Sequence, residues 1–181
     1  MIIEQTPLKD CFVVTPNIYK DQRGYFLESF NRLNFQKATG LSIDFVQDNL
    51  SRSSKGVLRG LHFQSGEHEQ AKLVWVIRGS VLDVCVDLRK KSSTFGQHFS
   101  IILDDQKHKQ LFIPKGFAHG FLTLEDNTTF AYKCDNYYHK PSERGIIFND
   151  KTLDIDWGFQ EGQIIISEKD AQLPTFENLF K

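Results

Sequence analysis

The sequence predicts a mainly β chain closed into a double-stranded, jelly-roll barrel, and three observations carry that prediction. Aromatic residues make up 13% of the 181 residues, 16 of them Phe. The apolar segments are short, β-branched or aromatic, and separated by Gly, Asp, Asn and Lys clusters, which is the punctuation of strands and turns. Roughly ten such segments occur with few helix signals, and an open sheet of that size would leave long exposed edges, so a closed antiparallel architecture with few short helices is expected.

In chain order, residues 11–14 and 24–30 are the first strand candidates. Asn31 to Ala38, followed by Gly40, reads as a short helix with a glycine stop. Strands are expected again at 43–50 and 56–63. The clearest pair lies in AKLVWVIRGSVLDVCVDLR, where strands 72–78 and 80–88 alternate and turn at Arg78-Gly79. In the second of these, Leu82, Val84, Val86 and Leu88 share one face while Asp83, Cys85 and Asp87 share the other. A strand with acids on one face lines water or a polar cavity. Candidates at 97–103, 110–113, 119–124, 128–138 and 163–166 complete the barrel, and a second helix begins at Ser167. Neither a repeat nor a Pro/Gly/Ser linker divides the chain, so residues 1–181 are expected to form one domain.

The 22 basic and 23 acidic side chains leave a formal charge of −1, which supplies no long-range field for nucleic acid or an anionic membrane. An anionic ligand must be met by locally placed Arg and Lys. Charges interrupt every apolar run well before the roughly 18 residues a membrane span needs. Cys11, Cys85 and Cys134 match neither a CxxC pair nor a disulfide framework, and the start MIIEQTPLKD has no basic-plus-apolar leader, so a reducing cytoplasm is expected.

Small barrels commonly hold ligands in the mouth, so inward polar residues are the place to look for function. The stretch GVLRGLHFQSGEHEQAKLVWVIRG at 56–79 and PKGFAH at 114–119 reproduce the spacing of the two cupin motifs. In metal-binding cupins the first motif supplies two His and a Glu and the second a further His, because a divalent metal wants several converging N and O ligands. Here Gln64 stands at the second His position and Lys72 at the Glu position. Gln is a poor ligand for a transition metal and an ammonium repels a cation, so neither a metal nor another cofactor is expected, and a metal-dependent dioxygenase is disfavoured. Lys72 would instead stabilise a developing negative oxygen. An anionic intermediate next to a His implies proton abstraction. In RGLHFQ, Leu61 and Phe63 point to one face while His62 lies on the other with Gly60 and Gln64, which favours a polar pocket for His62. His68, His98, His108 and His139 read as solvated or turn residues.

RGLHFQ at 59–64, AKLVWVIRGSVLDVCVDLR at 71–89, PKGFAHGF at 114–121 and YKCDNYYHKPSERGIIFND at 132–150 closely resemble the dTDP-4-dehydrorhamnose 3,5-epimerases. The resemblance runs from Arg23-Gly24-Tyr25-Phe26 to Ser167-Glu168-Lys169-Asp170. It implies an enzyme of dTDP-L-rhamnose synthesis that inverts C3 and C5 of dTDP-4-dehydro-6-deoxy-D-glucose, the two carbons beside the C4 ketone. In that reading His62 is the base, Lys72 stabilises the enolate, Tyr132 is the acid on the opposite face, and Asp170 holds His62 in one tautomer. Ser167-x-x-Asp170 also resembles a capping box for a short helix, and Asp83 is a rival for orienting Lys72 or His62.

For the nucleotide, the resemblance points to Arg23, Glu28, Gln47, Asn49, Arg59, Glu143 and Lys169, with His119 near the sugar or phosphates and Tyr138 stacked on thymine. Arg23, Arg59 and Lys169 suit a pyrophosphate, while the amides suit base or deoxyribose edges. The plainer alternative makes Arg23 and Glu28 an exposed ion pair. The family's site is completed across a homodimer, so Arg23 and Glu28 are expected to serve the other subunit. The competing functions are an epimerase acting at C3 or C5 only and a non-catalytic nucleotide-sugar-binding module.

Overall fold

The alternating segments pair into two antiparallel sheets in the computed structural model, which describes residues 1–180; Lys181, the end of the expected 1–181 domain, lies outside them. In chain order the strands are β1 (Ile2–Gln5), β2 (Phe12–Thr15), β3 (Ile18–Asp21), β4 (Gly24–Leu27), β5 (Gln47–Ser53), β6 (Leu58–Gln64), β7 (Lys72–Arg78), β8 (Ser80–Asp87), β9 (His98–Asp104), β10 (Gln110–Ile113), β11 (Phe117–Thr123), β12 (Thr128–Cys134) and β13 (Glu143–Gly145). Short helices α1 (Arg32–Thr39), α2 (Glu168–Ala171) and α3 (Phe176–Phe180) accompany them. One sheet runs β1-β2-β10-β7-β12-β5, the other β13-β6-β11-β8-β9, and β3 and β4 form a separate hairpin. This is the expected mainly β jelly-roll barrel.

Period-two patterning fills the space between the sheets. Val74, Val76 and Phe130 from one sheet meet Val81, Cys85, Leu103, Phe117 and Phe121 from the other, each buried side chain of this kind contributing roughly 1.5–3 kcal/mol. The opposite face of β8 sends Val84 and Val86 against Ile146, Leu153, Trp157 and Phe176 of the C-terminal segment. The predicted division of residues 80–88 therefore holds, with Asp83 and Cys85 turned inward. Along the barrel the inward rows change character. β7 runs from Val76 through Val74 to Lys72, and β12 from Phe130 through Tyr132 to Cys134. One end of the barrel is packed shut and the other is polar.

Several boundaries differ from expectation. Residues 43–50 do not form the ladder from their start, because Leu41, Ile43 and Phe45 pack beside Phe35 of α1, and pairing runs instead from Gln47 to Ser53. The segment 128–138 leaves the sheet after Cys134, where Asp135 turns its carboxylate to the Ala71 N–H at 2.7 Å. Residues 163–166 contribute only an isolated parallel bridge between Val57 and Ile165. The 24–30 strand stops at Leu27. The unforeseen strands β1, β3 and β13 are three or four residues long and take their conformation from their ladder partners. The helix read over Asn31 to Ala38 is α1, with Asn31 outside it as the N-cap and Gly40 closing it at φ 74°.

One irregularity places the site. His62 pairs with His119, but Arg59 pairs with Phe121, so three steps along β6 oppose two along β11. The extra residue shifts the alternation, and Arg59 and His62, three positions apart, both face the cavity. Gly60 sits at this point with φ 110°, and a Cβ there would stand 2.7 Å from both Gly120 Cα and the His119 carbonyl oxygen. Gly60→Ala should therefore cost about 3 kcal/mol or more, combining overpacking with left-handed strain. Urea unfolding checks this, and a loss below about 0.5 kcal/mol would show that the crossing is not tight.

Candidate active site

The polar end of the barrel opens into a cavity of about 760 Å³, a size suited to a small organic ligand. Its walls come from both sheets. β6 contributes Arg59, His62 and Gln64, β11 contributes His119, and α2 contributes Lys169 and Asp170. From the facing sheet come Gln47 and Asn49 on β5, Lys72 on β7, and Tyr132 and Cys134 on β12.

The His62 Nε2–H donates to Asp170 Oδ1 at 2.8 Å. Asp170 is nearly buried, and burial alone would raise its pKa. The bonds from His62 and the Gly60 N–H outweigh that and hold the carboxyl below its ordinary value. An ionised carboxylate only accepts, which fixes the proton on Nε2 and leaves Nδ1 as the basic nitrogen. The Gly60 amide, freed from the ladder by the bulge, donates to Asp170 Oδ2 at 3.2 Å. Ser167 caps α2 by accepting the Asp170 N–H at 3.1 Å. Asp170 thus joins the helix cap through its backbone and His62 through its side chain. The rival Asp83 is fully buried and meets neither Lys72 nor His62 through a hydrogen bond; it pairs with His119 Nε2 at 2.9 Å.

Across the cavity, Lys72 Nζ lies 5.8 Å from the centroid of the Tyr132 ring. Burial pushes the ammonium's pKa down, while Cys134, Asp83 and Glu143 pull it back up. Burial raises the Tyr132 phenol, so it stays protonated near neutrality. The thiol of Cys134, a wall residue that sequence reading passed over, is pushed up to about 11, first by burial. It is the strand partner of Lys72, a position that ladder register alone reveals.

The mouth carries the remaining groups. Tyr138 Oη donates to Glu143 Oε2 at 3.0 Å, and Lys169 Nζ donates to the same oxygen at 2.6 Å. Gln47 Nε2 donates to Asn49 Oδ1 at 3.0 Å, and Arg59 Nε donates to Ser53 Oγ at 3.2 Å. Of the residues singled out from sequence, Arg23 and Glu28 lie elsewhere. Arg23 is 85% exposed on the hairpin side of the molecule and pairs with Asp21, and Glu28 accepts from Asn31 and Asn34, so the two do not form an ion pair with each other.

The donor set does not suit a divalent metal. His62 and His119 each commit Nε2 to a carboxylate, Gln64 Oε1 accepts the His139 N–H at 3.1 Å, and Lys72 brings a positive charge. Among the described residues no three His, Cys, Asp or Glu gather closely enough to hold one.

A jelly-roll barrel with a His–Asp pair, a half-buried lysine and a tyrosine around one open cavity is a cupin-class site equipped for acid–base chemistry on an anionic or carbonyl-bearing ligand. Residues 5–178 match the family described as dTDP-4-dehydrorhamnose 3,5-epimerase. The chain belongs to that family. It is 48% identical over 181 residues to the Escherichia coli (strain K12) dTDP-4-dehydrorhamnose 3,5-epimerase, covering 100% of this chain and 97% of the relative. Among solved structures, the Elizabethkingia anophelis dTDP-4-dehydrorhamnose 3,5-epimerase superposes with a TM-score of 0.95 at 50% identity, covering 98% of this chain and 97% of that one. The Legionella pneumophila dTDP-6-deoxy-D-glucose-3,5-epimerase, solved with dTDP-4-keto-L-rhamnose, gives 0.94 at 47% identity over 99% and 94%.

The Asp170 carboxyl yields a pH prediction. Its folded pKa lies below the ordinary 3.8, so its stabilisation is complete above about pH 5 and is lost progressively as pH falls toward and through the folded value. Asp170→Asn should be less stable than the wild type at pH 7, with the gap shrinking by pH 3. Urea midpoints at the two pH values check this, and a constant gap would mean that the carboxylate's charge contributes nothing.

Proposed function

We propose that the chain is a dTDP-4-dehydrorhamnose 3,5-epimerase that converts dTDP-4-dehydro-6-deoxy-D-glucose to dTDP-4-dehydro-L-rhamnose in dTDP-L-rhamnose biosynthesis. The observation that carries the reading is the division of acid–base groups between sheets: His62, with Asp170 behind it, on one wall, Lys72 and Tyr132 on the other.

Inversion at a carbon beside a ketone needs three things. A base must take the C–H proton, a donor must stabilise the electrons that move onto the C4 oxygen, and an acid on the opposite face must return a proton. His62 Nδ1 takes the proton, and the C–H electron pair becomes the enolate. Lys72 donates a hydrogen bond to the enolate oxygen; its lowered pKa brings it closer to that of the incipient enol. The Tyr132 O–H then breaks as a new C–H bond forms on the other face, leaving an imidazolium and a phenolate that solvent resets. Repeated at C3 and C5, the sequence inverts both.

In this reading Arg59 and Lys169 meet the pyrophosphate, Tyr138 stacks on thymine, Gln47, Asn49 and Glu143 line the nucleotide's path, and His119 approaches the sugar or phosphates. The exposed aromatics of the β3–β4 hairpin, Tyr19, Tyr25 and Phe26, support a homodimer in which Arg23 and Glu28 reach the partner's ligand. The chain acts as one domain in the cytoplasm, with no resident cofactor. Among the described residues no helix is long and apolar enough to cross a membrane.

Incubation with dTDP-4-dehydro-6-deoxyglucose in D2O, with a chelator present, should place deuterium at C3 and C5 at an undiminished rate. His62→Ala should lower incorporation about 10³-fold while dTDP binding persists. Label at one carbon only would make the enzyme a mono-epimerase, and label at neither with nucleotide bound would leave a binding module.

A further inference from the structure

The residue left over from the sequence motifs is Gln64, which stands where a metal-holding cupin has its second histidine. It is buried, 6% exposed, and its Oε1 accepts the His139 N–H at 3.1 Å. The adjacent N–H, that of Tyr138, goes to Gln47 Oε1 at 2.9 Å. Gln64 stands on β6 and Gln47 on β5, in different sheets. Two consecutive amides of the segment 135–142 are thus caught by two glutamines that reach across the mouth of the barrel. Farther along, Gln70 Nε2 donates to the Asn136 carbonyl at 2.8 Å and Ser65 Oγ to the Ser142 carbonyl at 3.1 Å.

From this arrangement we infer that Gln64 is a positioning residue, holding segment 135–142 so that Tyr138 and Glu143 stand at the nucleotide end of the cavity before ligand arrives. The inference rests on the nucleotide-sugar reading of the site. Tyr138 is itself half exposed, and its ring contributes little packing to hold its own backbone. The two captured amides do that, and the buried oxygen of Gln64 is the inner of the two anchors. The amide side chain suits this task because it is neutral: a histidine of similar reach would bring a titrating charge close to His62. Fixing a loop in its bound conformation improves affinity by removing the ordering cost from the binding step.

The test is dTDP binding by calorimetry together with steady-state kinetics on the full chain. Gln64→Met keeps length and removes the acceptor. It should weaken dTDP about tenfold and raise KM in parallel, since the half-buried His139 N–H loses its partner and the segment loses an anchor, while kcat falls far less. Gln64→Glu restores an acceptor oxygen but adds the charge that the neutral amide avoids, so it should recover only part of the lost affinity. In a Tyr138→Ala background the effect of Gln64→Met on dTDP should shrink to about twofold or less, because the positioned ring is gone. Unchanged Kd and KM in Gln64→Met would overturn the inference, as would a fall in kcat with KM intact, which would mean that Gln64 acts on the sugar. Failure of the wild type to bind dTDP would instead remove the underlying reading. Should Gln64→Met not fold, hydrogen exchange of the wild type decides: the Tyr138 and His139 amides should exchange at least about tenfold more slowly than an open chain, and open-chain rates would contradict the clamp.

Discussion

The site depends on one close crossing of two strands. β6 and β11 approach so tightly at Gly60 and Gly120 that neither position accepts a side chain without backbone movement, and the bulge there does two jobs. It changes the alternation of β6 so that Arg59 and His62 share the cavity, and it frees the Gly60 N–H to hold Asp170. Without the shift, strict alternation would turn one of the two side chains away from the ligand. The His62 tautomer, and with it the basic nitrogen, follows from a backbone irregularity as much as from the carboxylate.

A second constraint is the change of inward residues along each strand. Apolar positions of β7 and β12 close the lower barrel, and the same rows continue into Lys72, Tyr132 and Cys134. The polar groups are therefore carried on rigid strands whose register is set by the core beneath them. Burial then tunes them in opposite directions, the Lys72 ammonium toward easier proton loss and the Tyr132 phenol toward proton retention. A hydrogen-bond donor to an enolate and a neutral acid are the forms the proposed chemistry needs.

Much of this was legible in the sequence. The alternation at 72–88 shows both strands and the inward Asp83, and the motif spacing brings His62, Lys72 and His119 to one cavity, where the structure also places Asp170, Tyr132 and the mouth residues. What could not be read depended on pairing. Simple alternation puts Gly60 on the face of His62 and says nothing about a bulge. Asp83 has the chemistry to orient His62 or Lys72, yet cross-strand register sets it opposite Phe121, diagonal to His119, whose Nε2 it meets. Arg23 and Glu28 stand away from this cavity, on the β3–β4 hairpin and the turn after it, which leaves room for the role expected of them at another subunit's ligand. The apolar run at 163–166 resembles a strand because local pattern does not show that the chain there makes a single bridge, from Ile165 to Val57.

The central claim is that proton removal and proton return come from opposite walls. Tyr132→Phe in D2O tests it most directly, with solvent exchange at C3 and C5 and formation of inverted product followed in the same reaction. The account predicts that exchange persists while inversion falls by about 10²-fold or more, because His62 and Lys72 still form the enolate and only the opposite-face proton is lost. Equal loss of exchange and inversion would contradict it.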